Sequence, residues 1–155
     1  MTSRHTPEPV DADEPWMRAL HADTGYLLYR LGLRSGQLFN AALQESGLRL
    51  RHYALLRYLA TVEGAPQREL STALGYDPSA IVGLVDDLEK LAFVERRPAP
   101  TDRRARVVVL TDKGRAYLRD SDEASHRVTD ELTSPLTARE RETLHALLLR
   151  VARPQ

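Results

Sequence analysis

Between Pro66 and Leu91 the chain places two short helical stretches around Gly75-Tyr76-Asp77-Pro78, and this punctuation constrains the fold more than any other feature. The first stretch runs from Pro66 to Leu74, with Pro66 in its first turn, where a missing N–H costs nothing, and Gly75 just past its end. Asp77 is predicted to cap the next helix, with Pro78 at its first position. Two short helices joined by a three-residue turn containing Gly form a helix-turn-helix. In the second helix Ile81, Leu84, Val85, Leu88 and Leu91 fall at the three, four and seven spacing of a core stripe. Ser79, Ala80, Gly83, Asp86, Asp87 and Lys90 are left pointing away from it.

Beyond Leu91 the chain turns extended. Phe93 to Arg97 alternates as a strand, Pro98 to Ala105 is rich in turn residues, and Arg106-Val107-Val108-Val109-Leu110 is β-branched. The pair predicts a β-hairpin with a basic tip, the wing of a winged helix. Upstream, Trp16 to Ser46 reads as one long apolar helix, with Gly25, Gly32 and Gly36 as its weak points and Gly47 as its end. A second helix built on Tyr53, Leu55, Leu56, Tyr58, Leu59 and Val62 is expected to stop at Gly64. Downstream, Thr111 is expected to cap a helix running from Asp112 to near Leu132. Thr137 to Glu140 forms a capping box for a last helix presenting Leu144, Leu147, Leu148 and Val151. The fold class is therefore mainly α with a small β-hairpin wing. Its expected parts are an acidic, Pro-rich tail (1–15), an N-terminal dimerisation-helix region (16–50), a winged helix-turn-helix lobe (51–111), and a C-terminal linker with dimerisation helices (112–155).

Composition narrows the function. The chain has 155 residues, 22 Lys+Arg against 22 Asp+Glu, and no cysteine, which excludes disulfides, thiolate metal sites and thiol chemistry. No apolar run is long enough to span a bilayer, and the first fifteen residues lack a secretory pattern, so a cytoplasmic location is expected. Zero net charge conceals an uneven distribution. Residues 92–115 hold seven basic and three acidic side chains, with Arg96, Arg97, Arg103, Arg104, Arg106, Lys113 and Arg115 as the cations. Such a block is the electrostatic footprint of a nucleic-acid partner. On charge alone, a solvated hairpin fits it equally well.

The stretch Glu95-Arg96-Arg97-Pro98, then Asp102-Arg103-Arg104, then Leu110-Thr111-Asp112-Lys113-Gly114 resembles the wing pattern of the MarR family of winged-helix transcriptional regulators. The resemblance extends from about Tyr26 to Val151. It implies a homodimer whose first and last helices intertwine and hold two winged lobes over a palindromic operator in double-stranded DNA. It also implies repression, with release on binding of a small aromatic or phenolic effector. Arg104 takes the place of the family's wing arginine, where a guanidinium would enter the minor groove, and Asp102 that of the aspartate holding it. Arg97, Arg103 and Arg106 are candidate phosphate contacts, as are Gln67 and Arg68 at the start of the supporting helix. On the recognition helix, Ser79 and Ala80 are candidates for base edges or a thymine methyl, and the helix N-terminus with the Ser79 hydroxyl for a phosphate. Gly83 and Asp87 occupy a face where the family commonly carries a basic residue. Asp86 and Asp87 read more readily as partners of nearby arginines than as readers of cytosine. Ala92 stands where the family often has glycine.

A ligand site is expected where the first helix meets the lobe, with Trp16, His21, Tyr26, Tyr29, Arg30, His52 and Arg96 as its aromatic and cationic walls. No cofactor is expected, and the five histidines show no local metal spacing. Nor does the chain carry a P-loop, G-x-G-x-x-G, G-x-S-x-G or H-E-x-x-H, so it is not read as an enzyme. The alternative function is a winged-helix protein-interaction module that has lost specific DNA binding, a reading suggested by the acidic recognition helix.

Overall fold

The N-terminal helical stretch is not continuous. In the computed structural model, which describes residues 15–99 and 104–152, it divides at Ala22–Asp23 into α1 (Pro15–His21) and α2 (Thr24–Ala42). Asp23 causes the break, because its Oδ1 accepts the Tyr26 N–H at 2.8 Å and so starts a new helix as an N-cap. The three glycines lie within α2 and do not interrupt it. One turn of 3₁₀ helix (Gln44–Ser46) comes next and closes at Gly47, whose φ of 70° lies in the left-handed region that favours glycine.

The chain divides into two compact units, residues 1–37 and 38–155. In the described part of the first, α1 and the start of α2 bury no side chain, and Trp16, Leu27, Leu28, Tyr29, Leu31 and Leu33 are all exposed. The second unit holds the core. There α3 (Leu50–Leu59) ends five residues before Gly64, because the chain must turn so that Ala65 can pair with Val108, at 3.0 and 2.8 Å. Gly64 passes so close to the Val109 side chain that a Cβ would lie 2.8 Å from its Cγ1.

The helix-turn-helix forms as read from the sequence. α4 (Gln67–Leu74) ends at Gly75, with φ 66°, and α5 (Pro78–Lys90) starts from Asp77, which accepts the Ser79 N–H at 2.8 Å. The Ser71 hydroxyl donates to the Tyr76 carbonyl at 2.7 Å and fixes the turn between them. From α5, Ile81, Val85 and Leu88 are fully buried against Leu55, Leu56 and Leu59 of α3, Leu70 of α4, and the strand residues Val94 and Val108. Each such side chain contributes about 1.5–3 kcal/mol through burial. Leu91, expected on the same stripe, is instead 38% exposed, because α5 ends at Lys90 and the chain reverses through Ala92 at φ 58°.

The hairpin pairs β1 (Val94–Pro98) with β2 (Arg106–Leu110) antiparallel, in a register running from Val94↔Leu110 to Pro98↔Arg106. α6 (Asp112–Leu132) then starts from Thr111, whose Oγ1 accepts the Gly114 N–H at 3.1 Å while donating to the Ala92 carbonyl at 2.8 Å. α7 (Ala138–Ala152) opens on the expected capping box, Glu140 Oε2 accepting the Thr137 N–H and Thr137 Oγ1 accepting the Glu140 N–H. The Thr137 N–H, then its hydroxyl, hold the Glu140 carboxyl below its ordinary pKa. α7 buries none of its residues, and Leu147, Leu148, Leu149 and Val151 stand exposed.

Candidate nucleic-acid interface

The outward face of α5 is small and mixed. Ser79, Val82, Gly83, Asp87 and Lys90 are exposed or half-buried, as are Ala80 and Asp86. Val82, 46% exposed, is a surface residue that sequence reasoning missed; with Ile81 and Val85 claimed by the core stripe, it is the aliphatic residue left on the opposite face. At the helix N-terminus the Ser79 hydroxyl does not stand ready for a phosphate as expected. It donates to Asp77 at 2.5 Å, so the capping carboxylate is already the anion at this end. The Ser79 hydroxyl, then its amide, hold the Asp77 carboxyl below the usual range.

Within α4, Arg68 is exposed, but the amide nitrogen of Gln67 is buried and makes no hydrogen bond among the described residues. The sequence expectation placed that side chain on a phosphate. Its position at the first turn of a helix packed on the core turns the amide inward instead.

The acidic residues of α5 are engaged from within the lobe. Arg96, on β1, reaches back to α5, where its Nη2 lies 2.5 Å from Asp86 Oδ1 and its Nη1 pairs with Glu89. The Arg96 backbone N–H also donates to Glu89, at 3.1 Å. Asp87 faces Lys90 Nζ at 3.2 Å and His52 Nε2 at 3.7 Å, so its neighbours are a lysine and an imidazole rather than the expected arginine. Lys90 is the first cause of the low pKa of the Asp87 carboxyl. His52 is buried, and its Nδ1 accepts the Arg49 N–H at 3.1 Å. Burial pushes this imidazole below its ordinary pKa, opposed by the Asp87 carboxylate and assisted by the Arg49 guanidinium. These contacts correct the expected setting of His52 and Arg96. Both face the recognition helix, and neither is an open wall waiting for a ligand.

At the wing, Arg97 pairs with Glu95 on its own strand and remains largely exposed. Arg104 and Arg106 are exposed at the start of the returning strand. Asp102 and Arg103 lie outside the described residues.

Of the residues expected to bind a ligand, Trp16, His21, Tyr29 and Arg30 are exposed and Tyr26 is half-buried, all in the first unit. Among the described residues of the second unit, two open clefts are lined by none of the seven expected residues. One, of about 230 Å³, lies between Leu43, Ser46, Tyr117, Ser121, Ala124 and Arg127, with the Ser46 and Tyr117 hydroxyls 3.0 Å apart. The other, of about 260 Å³, has Leu110 and Leu118 among its lining and Arg57, Arg115 and Arg119 beside them. Among the described residues no three His, Asp or Glu side chains come together as a metal site would require, and no helix is long and apolar enough to cross a membrane.

This geometry has known counterparts. A MarR family profile matches residues 46–105. Over 118 residues the chain is 32% identical to the HTH-type transcriptional repressor Rv2887 of Mycobacterium tuberculosis, a match covering 74% of this chain and 85% of that protein. CouR of Rhodococcus jostii RHA1, solved bound to p-coumaroyl-CoA, is 33% identical, with a TM-score of 0.77 over 89% of this chain and 97% of CouR. A MarR variant from Escherichia coli, solved in complex with operator DNA, is 28% identical, with a TM-score of 0.74 over 83% of this chain and 93% of its own. These relatives are regulators rather than enzymes, and with its helix-turn-helix, its two-stranded wing and its flanking helices the chain belongs to the MarR family of winged-helix transcriptional regulators.

Proposed function

We propose that this protein is a cytoplasmic, homodimeric repressor that binds a palindromic operator and releases it when a small aromatic or phenolic effector binds. The observation that carries the reading is the pairing of a recognition helix exposing Ser79, Val82 and Gly83 with a wing that exposes Arg97, Arg104 and Arg106. An α-helix fits the major groove, where an aliphatic side chain such as Val82 meets a thymine methyl and the absent side chain of Gly83 lets the backbone approach. In this reading Arg104 enters the flanking minor groove, oriented by Asp102, while Arg68, Arg97, Arg103 and Arg106 meet phosphates. The apolar surfaces left exposed on α2 and on α7 call for a cover, and a second copy of the chain supplies one. The operator complex of the E. coli relative and the p-coumaroyl-CoA complex of CouR support the DNA and effector parts respectively. Trp16, His21, Tyr26, Tyr29 and Arg30 are the proposed effector contacts in the first unit.

Fluorescence anisotropy on the DNA upstream of the gene, against a scrambled duplex at two salt concentrations, tests the reading. Tight, salt-sensitive and sequence-preferring binding is expected, with benzoate as a first effector probe. Arg104→Ala should lose about 1–3 kcal/mol of specific binding while the dimer persists. Unchanged affinity would remove Arg104 from the interface. Equal, weak binding to both duplexes, unaffected by that substitution, would favour the protein-interaction module.

A further inference from the structure

A helix meant for the major groove is unexpectedly acidic here. Asp86, Asp87 and Glu89 all lie on α5 with Lys90 as its one basic residue, and their side chains keep 46, 56 and 39% of their exposure. Against a phosphate backbone three such carboxylates repel, and nothing in α5 itself offsets more than one of them. The offset comes from outside the helix. Arg96 arrives from β1 with one terminal nitrogen on Asp86 and the other on Glu89, while its backbone N–H holds Glu89 a second time. With 25% of its side chain exposed, against 64% for Arg97, it is less available to DNA than its neighbour on the same strand. Asp87 is served separately, by Lys90, with the neutral imidazole of His52 3.7 Å away.

We infer that Arg96 is a positioning residue for DNA binding, one that pairs with both Asp86 and Glu89, offsets one of their two charges and clamps the wing to the recognition helix without itself touching the nucleic acid. The inference rests on α5 and the wing forming the DNA interface. It makes the two carboxylates a device for discrimination as well. With Arg96 bound to them, it adds no free cation that would hold any duplex regardless of sequence, and the wing keeps a fixed angle to the groove-reading helix.

The test compares the parent protein, Arg96→Gln, Asp86→Asn/Glu89→Gln, and the triple variant carrying all three changes. The DNA is a duplex selected by the parent from a random library, alongside a scrambled control. Arg96→Gln exposes two uncompensated carboxylates and should weaken binding about tenfold to a hundredfold. The triple variant, neutral where the parent network carries one net negative charge, should recover to within about threefold of the parent or bind more tightly, and keep its salt slope. A triple variant that stays as weak as Arg96→Gln, with a slope reduced by about one, would show that Arg96 contacts a phosphate and would overturn the inference. So would parental affinity in Arg96→Gln. If Arg96→Gln does not fold, Asp86→Asn/Glu89→Gln decides: releasing Arg96 should tighten binding to the scrambled duplex about tenfold, and unchanged discrimination refutes the role. Hydrogen exchange on the free proteins separates the clamp from the DNA reading. Amides of residues 94–98 should lose protection in Arg96→Gln, and unchanged protection sinks the clamp even if the parent selects no duplex at all.

Discussion

Ala92 carries the only positive φ, 58°, found at a non-glycine position among the described residues, and it does so at the joint between recognition helix and wing. A left-handed L-residue costs about 1–2 kcal/mol, part of which a glycine would return as chain entropy on unfolding. Ala92→Gly should therefore stabilise the protein by about 0.5–1 kcal/mol, read as a higher denaturation midpoint; a lower midpoint would mean that the methyl packs usefully. His52 makes a second prediction at this scale. Its imidazole is held neutral, accepting from the Arg49 N–H, and its pKa lies below the ordinary value of about 6.5. The unfolded chain thus takes up the proton more readily than the folded one. The stabilisation is complete above about pH 6.5 and is lost as pH falls through the lower folded value. Urea midpoints should fall between pH 7.5 and 5.5 in the parent and fall less in His52→Asn, which retains an acceptor for Arg49. A parent midpoint that rises toward pH 5.5 would contradict this.

Among the elements, the start of α6 shows what a motif glycine is for. Gly114 sits in the first turn, donates to the capping Thr111 hydroxyl, and passes so close to the base of the hairpin that a Cβ would stand 2.3 Å from the carbonyl oxygen of Phe93, just before β1, and 2.6 Å from Leu110 at the end of β2. Gly114→Ala should destabilise the protein by about 1–3 kcal/mol, since backbone rather than a flexible side-chain end has to yield. Calorimetry showing an unchanged melting temperature would place α6 differently against the wing. The same element explains how a capping residue joins two structures: Thr111 accepts from α6 while donating to Ala92, tying that helix to the turn after α5.

At the scale of the molecule, the leucine-rich α2 and α7 remain exposed in a single chain. A dimer covering them should appear in sedimentation equilibrium at micromolar concentration. Leu148→Glu, placing a charge on the α7 stripe, should shift the mass toward monomer and abolish cooperative operator binding, with the lobe still folded by circular dichroism. A parent that sediments as a monomer would refute the dimer.

The range of the forces involved separates the features legible in the sequence from those that are not. The Asp77-Pro78 start, the Gly75 end, the Thr111 cap and the Thr137 to Glu140 box are settled within about four residues of chain and stand where the sequence alone puts them, whereas Gly47 closes a 3₁₀ turn after the long helix has ended at Ala42, and the first strand runs one residue later than Phe93–Arg97. The break at Asp23 is equally local, and leucine periodicity hides it by running straight through. What periodicity cannot carry is the meeting of residues distant along the chain. The early end of α3 answers to Val108, and the inward amide of Gln67 to the packing of α4 on the core. Arg96 pairs with carboxylates seven and ten residues back, and His52 meets Asp87 from a different helix. Those encounters depend on how helix and hairpin stack around Leu55, Leu59 and Val85. Local spacing is enough to pair Asp87 with Lys90 and Arg97 with Glu95, but only tertiary packing, which brings the hairpin back onto α5, decided that Arg96 meets Asp86 and Glu89.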